Sequence, residues 1–296
     1  MIFHEFEQMA KDRITAYLPP AYAQAEISLA KVEKLGSSYS GLVVRNAEEK
    51  AAPVINLERY FAMAENGEDP ECILQKIAGE ITDNELTMET GWLRNYEIVK
   101  QNLFLRLSNY ERNKTVMDKV PCIRIEDLAL TFHIRFSHQD ASLCSVMITG
   151  SMQDDYGIST KELYADALQN SPCIFPAVLK NLSDVVCPPD WAEGLEENES
   201  GQIMVLTNRE MTNGASALFY PDMMKKVSQV MGGDYYVLPS SIHELLLVPH
   251  GMTDDWKMLE KIVAEVNRNC VPPHEILSGH VYFYDAEKEQ FRIMET

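Results

Sequence analysis

The densest gathering of reactive side chains is Tyr235-Tyr236-Val237-Leu238-Pro239-Ser240-Ser241-Ile242-His243-Glu244. Two hydroxyls, an imidazole and a carboxylate are the parts of an acyl-transfer site. In such a site the imidazole takes the serine proton and an acid holds its other nitrogen. A hydrolase-like enzyme built here would use Ser240 or Ser241 as nucleophile, His243 as base and Glu244 as the orienting acid. The spacing argues against it. Ile242–Val248 reads as a strand, and neighbouring strand side chains point to opposite faces. His243 then shares a face with Leu245 and Leu247, and Glu244 with Leu246 and Val248. Only a bulge would reunite them. The serines read more simply as turn residues satisfying backbone, and His243 as a half-buried, hydrogen-bonded ring.

Other candidates are sparser. Gly214-Ala215-Ser216-Ala217-Leu218 approaches the G-x-S-x-G elbow, but Leu218 stands where the second glycine must bring strand and helix together. The polar run Asn109–Lys114 follows an apolar stretch, so Asn109 and Arg112, with Asn208, are candidate binding residues. His133 reads as a surface histidine on the polar face of a strand. His274 and His280 flank Pro272-Pro273 beside Glu275, too few ligands for a metal centre. No dinucleotide, P-loop, zincin or EF-hand motif occurs, and no metal or cofactor is expected.

The chain has 296 residues and a net charge of −19, from 45 acidic and 26 basic side chains. That balance repels phosphate backbones and anionic bilayers, so neither nucleic acid nor membrane is an expected partner. No leader or apolar run of about 20 residues is apparent. Of the six cysteines, none forms a C-x-x-C pair, and four have apolar neighbours, as small buried hydrophobes do. The expected setting is reduced and cytoplasmic.

Periodicity supplies the elements. Phe3, Phe6, Ala10, Ile14 and Leu18 mark a helix ended by Pro19-Pro20. Ala25–Leu35 and Tyr39–Arg45 read as a hairpin, Val54–Leu57 as a third strand, and Ile73, Leu74, Ile77 and Ile81 as one face of a helix. Leu128, Leu130, Phe132, Ile134 and Phe136 alternate with Ala129, Thr131, His133 and Arg135, a strand with one buried face. Ser159 and Glu162 form a capping box for a helix ending before Ser171-Pro172. Ala215–Tyr220 reads as a strand, Pro221–Met231 as a helix, Tyr235–Leu238 as a strand, and Val281–Tyr284 with Gln290–Met294 as a hairpin. These patterns predict an α+β fold, helix-flanked antiparallel sheets in two or more modules. Asp184–Ser200, with two prolines, a glycine and six acids, reads as an acidic linker (184–200). It would separate an N-terminal α+β region (1–183, or two modules 1–90 and 91–183) from a C-terminal module (201–296).

With these residues in view, the chain resembles a clostridial protein family known as a domain of unknown function. The blocks carrying the likeness include Phe104–Lys114, Glu126–Ala129, Gly157–Asn170, Leu206–Asn208, Asn213–Pro221 and Leu238–Glu244. Val263–Asn267, Leu277-Ser278 and Tyr282–Asp285 complete it. Pro-Ser-Ser-Ile-His-Glu and Leu-Tyr-Ala-Asp-Ala-Leu-Gln-Asn are the most specific segments. Family members often carry histidine after the proline matched by Pro121, where this chain has Cys122. The resemblance implies a bacterial cytoplasmic setting and no activity. The residues themselves point to a non-catalytic binding or accessory protein acting on a protein or peptide through sheet edges or faces. The hydrolase and a small-molecule sensor are the alternatives. The sequence leaves the oligomeric state open.

Overall fold

A computed structural model describes residues 1–45, 54–83, 90–137, 143–186, 202–239 and 241–295. The fold is α+β, with three antiparallel sheets. The chain divides into two compact units, Met1–Glu89 and Thr90–Thr296.

The first unit opens with α1 (Phe3–Arg13), which buries Phe6 and Ala10 and runs on into a 3-10 turn that buries Ile14. β1 (Glu26–Lys34) and β2 (Ser37–Arg45) pair as a hairpin, from Glu26 opposite Arg45 to Lys34 opposite Ser37. Gly36 supplies the left-handed residue of the turn, at φ 77°. β3 (Val54–Asn56) adds to the far edge of β2. Asn56 caps α2 (Leu57–Glu65) by accepting the Glu58 N–H. Leu42, Val44 and Ile55 from the sheet meet Ile73, Leu74, Ile77 and Ile81 from α3 (Pro70–Asp83) in one core.

The second unit holds the other two sheets. After the helical turn α4 (Tyr96–Val99), β4 (Leu103–Asn109) begins a four-stranded sheet. A turn, α5 (Lys114–Met117), leads to β5 (Cys122–Ile125), β6 (Leu128–Ser137) and β7 (Leu143–Met147). β6 pairs with all three. Next come α6 (Gly150–Tyr156) and α7 (Thr160–Ile174), and α7 starts on the reciprocal Ser159–Glu162 capping box. β8 (Ala177–Asn181) and α8 (Leu182–Val186) precede β9 (Met204–Asn208), α9 (Met223–Met231), β10 (Tyr235–Leu238) and β11 (Leu245–Pro249). α10 (Trp256–Asn269), β12 (Tyr282–Asp285) and β13 (Gln290–Ile293) end the chain.

The last six strands form one sheet in the order β13-β12-β10-β11-β9-β8. One face, carrying Leu206, Tyr235, Val237, Leu245, Leu247, Tyr282 and Tyr284, shares a core with Leu103, Leu105, Leu107, Leu130 and Phe132 of β4 and β6. The other face packs Tyr236, Leu238, Val248 and Phe283 against Leu259 and Val263 of α10.

Several expectations change in physically interpretable ways. The segment 184–200 falls inside the second unit, because β8 before it and β9 after it are paired neighbours in one sheet. Asp184–Val186 of that segment belong to α8, and 187–200 lie outside the described residues. Ala215–Tyr220 is not a strand. Gly214–Phe219 forms a 3-10 turn opened by Asn213 in the left-handed region and closed by Ser216 Oγ donating to Asn213 O at 3.1 Å. α7 passes through Pro172 to Ile174, since a proline this near the C-terminal end removes only one helical bond. Cys72, Cys173 and Cys270 are exposed, and Cys122 and Cys144 half-buried, so local apolar neighbours did not mean burial. Cys187 lies outside the described residues.

β6 departs most informatively. Ala129, Thr131 and His133, expected on a wet face, are buried along with the leucine face. Burial first, then the guanidinium of Arg106, holds the His133 imidazole well below its ordinary 6.5. The folded chain therefore keeps this ring neutral, while the unfolded chain protonates it below about pH 6.5. Stability from this residue is complete above that pH and falls below it, by up to about 1.4 kcal/mol per pH unit. Urea unfolding from neutral pH down to about pH 5 should show a shallower pH dependence for His133→Gln than for the parent. Equal slopes would contradict the assignment.

Candidate functional site

Two of the residues singled out from the sequence, Arg112 and His243, meet one segment, 272–280, in the second unit, from two sides. On one side, Arg112 donates to Pro273 O at 2.9 Å. Its backbone N–H in turn donates to Asn109 Oδ1 at 2.9 Å, and Asn109 Nδ2 reaches Asp127 Oδ2 at 3.1 Å. Asp127 is the hub of this network. It also accepts Ser278 Oγ at 2.8 Å and the hydroxyl of fully buried Tyr282, and its carbonyl accepts the Tyr110 N–H at 2.7 Å. The hub sits in the tight β5–β6 turn, where Glu126 takes φ 56°. Burial and then the Asp127 charge raise the Tyr282 phenol far above its usual value, so it stays a protonated donor.

On the other side lies the bend before β11. The strand begins only at Leu245, so Ile242, His243 and Glu244 do not alternate as a strand would. Thr207 Oγ1 donates to His243 O at 2.8 Å, and the His243 N–H donates to Ser241 Oγ at 3.0 Å. Ser241 N–H donates to Glu244 O at 3.4 Å, and Ile242 N–H to Glu275 O at 3.0 Å. Ser241 thus shapes a turn. The acid beside the imidazole is Glu275, whose Oε1 lies 3.4 Å from His243 Nε2, with His274 Nε2 at 3.7 Å. Ser240 lies outside the described residues.

The tautomer of His243 follows from its neighbours. The Asn213 amide N–H, which can only donate, points at Nδ1 from 3.0 Å. Nδ1 must therefore offer its lone pair, and the ring proton sits on Nε2, facing Glu275. The one lone pair of the ring is thus already taken up by the Asn213 N–H. Asn208, the remaining candidate, closes its own loop: Nδ2 donates to Thr212 O at 2.7 Å, and Oδ1 accepts the Thr212 N–H at 3.3 Å. Gly214 lets this loop lie against the bend. A Cβ there would stand 2.4 Å from Thr207 Oγ1 and 2.6 Å from both Asn208 N and His243 O.

The family model described as "Family of unknown function (DUF5688)" matches residues 3–286, nearly the whole chain. The chain belongs to this family. No curated protein and no solved structure matches it. In this DUF5688 member much of both networks falls on the blocks that carried the resemblance, including Leu238–Glu244, Asn213–Pro221 and Leu277-Ser278, while Pro273 and Glu275 lie outside them.

Sequence reasoning missed Asp127 and considered Glu275 only beside His274 and His280, never as the partner of His243. Asp127 meets partners 18, 151 and 155 positions away, and Glu275 meets His243 across 32 positions, so spacing carried no sign of either. Among the described residues no group of three His, Cys, Asp or Glu side chains is placed to hold a metal ion. No described helix is long and apolar enough to cross a membrane.

Proposed function

We propose that the protein is a non-catalytic accessory protein of the bacterial cytoplasm that binds a protein or peptide partner. One observation carries the non-catalytic part: both nitrogens of His243 are engaged, Nδ1 by the Asn213 amide and Nε2 by Glu275. A base needs a lone pair within reach of its proton source, and this ring has none to give. Ser241 is equally committed, its oxygen accepting a backbone N–H. The polar residues that looked like a reaction centre act as pins that hold loops.

The partner reading draws support from the sheet edges. β1 is a nine-residue outer strand, and β13 and β8 are the outer strands of the six-stranded sheet. Outer strands present backbone groups to which an extended segment can add. Five described cysteines outside any disulfide, three of them exposed, suit a reducing compartment.

A fluorophosphonate probe tests the catalytic alternative directly. The expected result is no labelling at Ser240 or Ser241, and no ester hydrolysis above buffer. Labelling that His243→Ala abolishes would replace the binding reading with the hydrolase.

A further inference from the structure

The face of the four-stranded sheet turned away from its leucine core has an unusual charge. Strand register places Arg106 and Ser108 of β4 beside Thr131 and Ala129 of β6, with His133 and Arg135 farther along the same face. β5 adds Cys122 and Arg124 opposite Thr131 and Ala129, and β7 adds Met147 and Ser145 opposite His133 and Arg135. The described strand residues on this face therefore include three arginines and a histidine and no acid, in a chain with 45 acidic side chains against 26 basic ones, though Glu111 and Asp118 reach its β5 end from neighbouring turns.

Arg124 is accounted for, bonded to Glu111 at 2.9 Å and stacked over Tyr110. Arg106 is not. It is largely enclosed, desolvation alone acts on it and pulls its pKa down, and no hydrogen bond or ion pair reaches its guanidinium among the described residues. A desolvated cation without a counter-charge is costly and is found where something else supplies the anion. The second observation is independent of charge. Ser108 Oγ, two residues along on the same face and 4% exposed, is buried with no hydrogen-bond partner. Thr131 and His133 lie buried on the same face, 3.0 Å apart between Oγ1 and Nε2. Arg135 is exposed farther along the face, its guanidinium over the Phe175 ring, which itself packs edge-on against Phe104.

We infer that this face binds the oxyanion of a small metabolite, a phosphate or carboxylate held by the Arg106 guanidinium and the Ser108 hydroxyl, with exposed Arg135 as the nearest further cation on the same face. A guanidinium fork matches two oxygens of either group, and a serine hydroxyl donates to a third contact. The site is separate from the His243 and Asp127 networks and does not rest on the peptide-binding reading.

The test titrates the full chain with potassium phosphate and, separately, with succinate, each against potassium chloride at matched ionic strength, reading both calorimetric binding and Tm. At least one oxyanion should raise Tm saturably while chloride does not. Arg106→Gln should weaken that binding about tenfold or more, and should leave the ligand-free Tm unchanged or higher, because an unpaired enclosed charge is gone. Should that variant fail to fold, Ser108→Ala, a smaller change, should still weaken binding several-fold. A response to phosphate alone assigns a phosphorylated ligand, and one to succinate alone a carboxylate. The proposal is overturned if neither anion gives a saturable response, or if the response survives intact in the folded variants.

Discussion

Asp127→Ala should destabilise the Thr90–Thr296 unit by about 3 kcal/mol. Asp127 accepts from Asn109, Ser278 and Tyr282, groups contributed by β4, the segment before β12 and β12 itself. It ties the turn of the four-stranded sheet to the six-stranded one. Removing it leaves the Tyr282 hydroxyl buried at 0% exposure with its acceptor gone, and a stranded buried donor costs more than the bond it made. A second substitution separates the two contributions. Tyr282→Phe removes the stranded hydroxyl, so the Asp127→Ala/Tyr282→Phe pair should lose less than the sum of the single changes. Urea unfolding of the four chains measures this. A loss below about 1 kcal/mol for Asp127→Ala, or strict additivity, would show that the hub is decorative.

Gly214→Ala should cost about as much, near 3 kcal/mol, for a steric reason. Three atoms lie within 2.6 Å of where its Cβ would go, and two of them, Asn208 N and His243 O, are backbone. Side chains can rotate out of such a clash. Backbone already committed to β9 and to the Ser241–Glu244 bend cannot, so the loop must lift, at the upper end of the usual overpacking penalty. Lifting the loop also draws Asn213 away from His243. Gly79 serves as the control. It lies in α3 with nothing within 4 Å of its Cβ position, so Gly79→Ala should stabilise by up to about 1 kcal/mol. Opposite signs at the two glycines are the expected result in thermal unfolding. A neutral Gly214→Ala would mean that the loop is not pressed against the bend.

What could be read from the sequence was what depends on near neighbours. The α1 stripe, the hairpin at Gly36, the Ser159–Glu162 capping box and the closing hairpin at 282–293 are local events, and side-chain periodicity or turn chemistry specifies them. The alternation of β6 was legible too, but the fate of its second face was not. Small residues at Ala129 and Thr131 permit cover, and nothing in a strand's own pattern says whether cover arrives. The Gly214–Phe219 turn was misread for a related reason. Ala-Ser-Ala-Leu is apolar enough for a buried strand, and its small side chains serve equally well where a tight turn must pass close to another backbone.

At the candidate site the residue types were legible and their partners were not. Ser241 and His243 attracted attention as chemistry-bearing groups, and they do meet polar neighbours. Those neighbours are the Asn213 amide, Glu275 and the residues' own backbone, contributed by segments that only the folded sheet brings together. The argument that Glu244 and His243 point apart assumed a strand that starts three residues later, at Leu245. In the structure the carboxylate placed 3.4 Å from the imidazole is that of Glu275, from a segment 32 positions on.

The assignment of His243 as a structural pin is open to a direct reading by long-range nitrogen–proton NMR of the imidazole in the folded chain at neutral pH. The account predicts a ring protonated at Nε2, with the shift of a lone-pair nitrogen at Nδ1 that changes when Asn213 is displaced in Gly214→Ala. A ring protonated at Nδ1, with an unengaged Nε2, would contradict it and return His243 to the candidates for a catalytic base.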